Sequence, residues 1–291
     1  MLRKIVIAAA LLLAGCNAKP AANDADPALW VVRDADTTIY LFGTVHMLKP
    51  GLSWFDEGVK DAFDRSDSLV LELVMPPDHE MQALVSELGM TAAGPALPDQ
   101  LPPEAAAKLR AALPRFGLAP EALDRAEPWL AATMLSSLPL RQLGYDQSEG
   151  AEKVLSAAAA KASKPVTGLE TAREQLGYFD ALPVEAQRAL LVDTIDDLPN
   201  AGTTVDRMVA AWSKGDADGL AALMNEDLDR SPELAERLLA ARNQKWAGWI
   251  ARRMAQPGTV FVAVGAGHLA GSRSVQAELA RGGLRVERVE Y

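Results

Sequence analysis

Two stretches decide the fold: Thr38-Ile39-Tyr40-Leu41-Phe42-Gly43-Thr44-Val45-His46 and Thr259-Val260-Phe261-Val262-Ala263-Val264-Gly265-Ala266-Gly267-His268. Each reads as a buried strand that runs into Gly-x-x-His. Glycine at a strand end lets the backbone turn sharply or another group approach closely. Each histidine then falls just past the carboxyl end of its strand, where open α/β sheets place their ligands. The chain has only three histidines, so two in one setting, far apart in sequence, form a matched pair. The third, His79, follows Pro76-Pro77-Asp78 and reads as a solvated helix start.

Outward from these stretches, Leu29 to Arg33 reads as a strand joined to the first stretch by a turn at Asp34-Ala35-Asp36. A helix is expected over Phe55 to Asp67. The apolar run Leu69 to Val74 suits a strand covered on both faces, stopped by Pro76 and Pro77. From Asp78 to about Ser163 the chain is rich in Ala, Leu and Glu, with prolines at intervals, a pattern of short helices. Lys164 to Leu169 reads as a short strand. Glu170 to Met254 is helical again and includes a long amphipathic piece from Pro232. A helix over Ser272 to Arg281, a Gly282-Gly283 turn and a strand over Leu284 to Val289 close the chain. The expected architecture is α/β, one sheet built from the N- and C-terminal parts, with a largely helical middle insertion or cap over about 78–254. Residues 28–291 would form that one domain.

Composition narrows the function. The chain has 291 residues, 49% hydrophobic and 23% charged, which excludes a disordered, collagen-like or coiled-coil protein. Its net charge of −10, without a basic run, argues against a nucleic-acid partner. A single cysteine rules out an intramolecular disulfide or a cysteine-rich metal centre. That cysteine is Cys16. It follows a cationic start at Arg3 and Lys4, an apolar run from Ile5 to Ala14, and Leu13-Ala14-Gly15, which together resemble a bacterial lipobox. Residues 1–15 are therefore expected to be a signal peptide, Cys16 the lipidated residue, and 16–27 a tether. The mature protein would be held by its lipid in the bacterial cell envelope, facing the periplasm. Asn17 rather than aspartate after the cysteine favours the outer membrane.

Two imidazoles invite carboxylates, for a metal or for proton transfer. Glu72, inside Leu69-Val70-Leu71-Glu72-Leu73-Val74, would be costly to bury without a partner. Glu170 stands in Thr167-Gly168-Leu169-Glu170, whose spacing also suits a capping box. Asp146, three residues before Glu149, has the same double reading as site residue or helix cap. In the amphipathic piece, Leu239, Trp246 and Ile250 form one apolar stripe, and Arg242 and Asn243 lie on it. An inward arginine must meet a carboxylate or a bound anion.

These segments resemble the TraB/PrgY/GumN family, which is related to the Tiki metalloproteases. The likeness runs from Leu29-Trp30-Val31-Val32 and Tyr40 to His46, through Leu71-Glu72-Leu73, Gly144-Tyr145-Asp146 and Thr167 to Thr171. It ends with Arg242-Asn243-x-x-Trp246 and Val264 to Gly271. With the lipobox it fits the GumN-like branch. Tiki relatives are described as metal-dependent peptidases that use the Gly-x-x-His histidines and acidic residues. The resemblance therefore implies a hydrolase acting on peptide or protein substrates. His46, His268 and Glu72 would hold a divalent ion (Mn, Zn, Co or Fe). Glu72 or Glu170 would ligate that ion or take the water's proton. Arg242 and Asn243 would hold a substrate carboxylate or polarise its carbonyl, with Asp146 also on the substrate. The chain lacks His-Glu-x-x-His, so the common zincin arrangement does not apply. TraB and PrgY relatives are linked to shutting down peptide pheromone signals, and more distant relatives bind haem. The alternative is thus a non-enzymatic lipoprotein that holds a peptide or haem in the same cleft.

Overall fold

The computed structural model describes residues 23–228 and 232–291. The signal-peptide stretch, Cys16 and most of the expected tether lie outside the described residues. Eight strands are found among those residues: β1 (Asn23–Asp24), β2 (Leu29–Arg33), β3 (Thr37–Thr44), β4 (Leu52–Ser53), β5 (Ser68–Leu73), β6 (Val166–Glu170), β7 (Gly258–Gly265) and β8 (Val286–Arg288). Six of them form one sheet in the order β6-β5-β7-β3-β2-β8. The neighbours β6, β5, β7 and β3 run parallel, while β2 is antiparallel to both β3 and β8. The β2–β3 hairpin turns where expected, because Asp34 Oδ1 accepts the backbone N–H groups of Asp36 and Thr37. Residues 23–26, taken in sequence as the end of the tether, are docked. β1 pairs with β4, Ala25 N–H donates to Ser53 O, and Asp26 N–H donates to Ser213 O.

Period-two alternation gives the sheet two apolar faces. Phe42, Leu69, Leu71, Phe261 and Ala263 face one side. There they pack with Trp54, Phe63 and Trp212 and with the helix Ala151–Lys161. Ile39, Leu41, Val70, Val260, Val262 and Val264 face the other side, beneath Trp246 and Ile250 of the helix Ala241–Arg253 and Val275 and Leu279 of the helix Val275–Arg281. Each such large side chain contributes roughly 1.5–3 kcal/mol on burial. A third cluster, with Leu109, Trp129, Leu135, Leu191 and Ile195, is the cap's own core.

The middle region differs from the expectation in three ways. It is not uninterrupted cap: β6 leaves it to become an edge strand of the main sheet. The capping box falls at Thr171 and Glu174 rather than Thr167 and Glu170, because β6 carries Glu170 within the sheet and the next helix begins only after it. The amphipathic piece from Pro232 is also not one regular helix. It comprises Pro232–Ala235, a π-helical turn Glu236–Ala240, and Ala241–Arg253. A π turn inserts one extra residue into the helical register and is common beside functional groups. Here it immediately precedes Arg242 and Asn243.

Candidate functional site

Four parallel strands end on one edge of the sheet. Glu170 closes β6, Glu72 precedes the last residue of β5, Gly265 closes β7 and Thr44 closes β3. Leu73 pairs with Glu170, and Thr44 pairs with Gly265. His46 follows β3 by two residues, and His268 lies in the short turn Ala266–Leu269 after β7. The matched Gly-x-x-His segments are thus adjacent parallel strands. Gly265 serves close approach: its N–H donates to Glu72 Oε1 at 2.5 Å, and a Cβ there would stand 3.0 Å from that oxygen.

Arg242 is the hub of the first half of the site. Its Nε and Nη2 grip the two oxygens of Glu170 side-on at 3.0 and 2.8 Å. Nη2 also donates to Glu72 Oε2 at 2.9 Å. Nη1 donates to the Leu238 carbonyl at 3.0 Å and lies 3.1 Å from His268 Nε2. A guanidinium has five N–H donors, and every one has an internal acceptor. The sequence analysis placed Arg242 against substrate; in the structure none of its N–H groups is left over for one. The rings of Trp246 and Tyr178 lie 4.7 and 5.4 Å from its central carbon.

Glu170, read in sequence as catalytic, is consumed by this hub. Its side chain is fully buried, and Oε1 also accepts from Trp246 Nε1 at 3.1 Å and Tyr178 OH at 3.3 Å. Glu72 keeps more freedom. It is 14% exposed, Gln175 Nε2 donates to its Oε2 at 3.2 Å, and its Oε1 lies 3.6 Å from His268 Nε2.

Asn243 sets the tautomer of His268. Its Nδ2 donates to the Arg273 carbonyl at 2.7 Å, so its Oδ1 must be the atom 2.6 Å from His268 Nδ1. That nitrogen therefore carries the proton, and Nε2 presents a lone pair to the Arg242 N–H. Burial depresses the His268 pKa to about 4; the Glu72 charge opposes this, and Arg242 adds to it. His268 is neutral at physiological pH. Asn243, like Arg242, spends its polar atoms inside the protein rather than on a substrate carbonyl.

The second half of the site contains a residue that sequence reasoning missed. Glu152 Oε1 accepts from Thr44 Oγ1 at 2.6 Å and lies 2.6 Å from His46 Nδ1. The His46 ring is 73% exposed, so its Nε2 edge faces outward. The hydrogen bond and charge of Glu152 raise the His46 pKa to about 9, while His46 and Thr44 hold the Glu152 carboxyl below its ordinary value against the effect of burial. An acidic residue in the first turn of a helix reads by default as a complement to the helix dipole. Glu152 therefore carried no signal of its own.

Asp146 supports this half from outside it. Its Oδ1 caps the turn Gln147–Glu149 by accepting from Ser148 N–H and Oγ at 2.7 and 2.8 Å. Its backbone bridges Leu48, two residues after His46. The carboxylate is exposed and used locally, so Asp146 places the His46 loop.

Gly150 brings the Glu152 helix against that loop. A Cβ there would lie 2.2 Å from the His46 carbonyl oxygen, a backbone atom that cannot swing aside. Gly150→Ala is expected to cost about 1–3 kcal/mol or more by overpacking. It should also separate Glu152 from His46. Urea unfolding together with the NMR titration of His46 checks this; unchanged stability and an unchanged titration would contradict the contact.

A divalent ion can be weighed against these residues. His268 Nε2 and Glu72 Oε1 are 3.6 Å apart, close to the separation of two donors sharing an ion through bonds of roughly 2.0–2.2 Å. Each imidazole has Nδ1 held by an oxygen, as metal-bound histidines do. Glu72, Glu152 and Glu170 oppose the Arg242 guanidinium, leaving two negative charges when His46 is neutral. A proton on His46 offsets one of them; a divalent ion would offset both. Among the described residues, no group of three His, Cys, Asp or Glu side chains converges in the manner of a complete ligand set. The charge therefore suits a divalent ion, but the one lone pair of His268 Nε2 is taken by the Arg242 N–H, so an ion at His268 and Glu72 would have to displace that hydrogen bond.

Comparison with known proteins matches residues 28–288 to the model of the TraB/PrgY/gumN family. An uncharacterized protein of Escherichia coli (strain K12), YbaP, is 24% identical over 249 residues, covering 84% of this chain and 89% of that protein. Its Shigella flexneri counterpart, also uncharacterized, matches with the same identity and coverage. No solved structure matches the chain.

Proposed function

Because the chain belongs to the TraB/PrgY/gumN family, and because its two Gly-x-x-His histidines share one sheet edge, we propose that it is a hydrolase that cleaves peptides at that edge. The observation that carries this reading is the division of labour between the imidazoles. His268 is buried and neutral, its Nε2 accepting from Arg242, while His46 is exposed and charged through Glu152. An acid–base pair needs titratable groups whose surroundings push their pKa values apart. Water held by Glu72 attacks the peptide carbonyl carbon, and Glu72 takes its proton. As the carbon–nitrogen bond breaks, His46 Nε2 donates a proton to the leaving nitrogen; the proton on Glu72 then returns to His46 through solvent. Arg242 and Glu170 keep Glu72 and His268 in register. A divalent ion held by Glu72, and by His268 once its Nε2 is released from Arg242, would supply Lewis acidity and a more acidic water.

The test is incubation of the purified chain with a peptide library, with Mn, Zn or Co and with a chelator, read by mass spectrometry. Cleavage that is lost in His46→Ala supports the reading. Peptides that are retained but returned intact under every condition would replace it with the binding-lipoprotein alternative.

A further inference from the structure

A cleft lies in the cap, lined by none of the residues discussed above as the candidate site. It encloses about 690 Å³ among helices of the cap, within the usual size range of small-molecule sites. Ala112, Phe116, Leu143, Ile195 and Leu198 supply apolar wall. Leu143 is 48% exposed, a large side chain left open to solvent at this cleft.

The polar groups of the lining are nearly all committed. Lys108 pairs with Asp196 and with Glu104, each at 2.8 Å. Asp206 accepts from Lys49 at 2.7 Å and from Tyr145 OH at 2.6 Å. Gln142 Nε2 donates to the Arg115 carbonyl at 2.8 Å. The Arg115 guanidinium is different: among the described residues it has no hydrogen-bond or ion-pair partner. Lys108, Asp196 and Asp206 each already face a partner of opposite charge, so Arg115 is the one charged group of the lining left to meet a ligand.

This pattern selects a ligand class. A bound peptide backbone brings N–H and C=O groups that each need a partner on leaving water, and these walls have almost none to give. A single apolar chain asks for no such partners along its length, and one anionic end suffices for Arg115. We propose that this cleft binds a single-chain amphiphile with an anionic head, such as a fatty acid, its chain on the apolar wall and its head on Arg115. The site is independent of the hydrolase reading.

The experiment titrates the full chain with laurate, below its micelle threshold, by calorimetry. Dodecyltrimethylammonium, with the same chain length and the opposite charge, is the control. Laurate is expected to bind at one site, at least about tenfold more tightly than the cationic control. Arg115→Glu, at an exposed position where folding is not at stake, should weaken laurate by about tenfold or more and remove its preference over the control. Ala112→Trp should block both by filling the wall. Absence of laurate binding, equal binding of the two amphiphiles, or unchanged affinity in Arg115→Glu would each overturn the proposal.

Discussion

Arg242→Ala is expected to lower stability by about 3–5 kcal/mol, because it strands the fully buried Glu170 carboxylate and frees Glu72 from its guanidinium. For a chain of this size that is a fall of roughly 6–20 °C in unfolding temperature. Arg242→Lys should recover little, since an ammonium cannot reproduce the side-on pair. Arg242→Met combined with Glu170→Gln should recover part of that loss, because the fully buried Glu170 charge is removed together with its partner. Thermal unfolding of the series checks this. An undiminished unfolding temperature in Arg242→Ala, with peptide affinity lost, would return Arg242 to the substrate.

The largest effect on turnover is expected from Glu152→Gln. The amide oxygen can still accept from both Thr44 and His46 Nδ1, so the fold should be spared, but it carries no charge to keep His46 protonated. His46 would lose the carboxylate charge that helps raise its pKa. If His46 is the proton donor of a peptide hydrolysis, kcat should fall about 10²–10⁴-fold while KM changes little. Steady-state kinetics on any peptide found to be cleaved decides it. A kcat equal to the parent's would leave Glu152 with a purely structural use.

The fold was legible where one local pattern had one meaning. A buried-type strand pattern and a terminal glycine placed β3 and β7, and the continuous apolar run placed β5. The histidines and Glu72 were found because each breaks its own setting: a rare residue at a strand end, a charge in an apolar run. Residues with an ordinary local explanation were harder to place. Glu152 looked like a dipole complement, and its meaning depends on a contact with His46 made across more than a hundred residues. Arg242 was seen to face inward, but sequence could not say which acceptors would saturate it. That required Glu170, Glu72, Leu238 and His268 to arrive from four separate segments. The π turn that precedes Arg242 was invisible because Glu236 to Ala240 is ordinary helix-forming sequence.

The sheet order also bears on timing. β3 and β5 emerge early during synthesis, yet they are not neighbours; β7 separates them and pairs with both. A nascent chain that stops short of β7 has no His268, no Gly265 amide to hold Glu72, and nothing to join its two earliest parallel strands. Contacts this distant in sequence form late and slowly. The edge that carries His46 and Glu72 is therefore assembled only when nearly the whole chain is present.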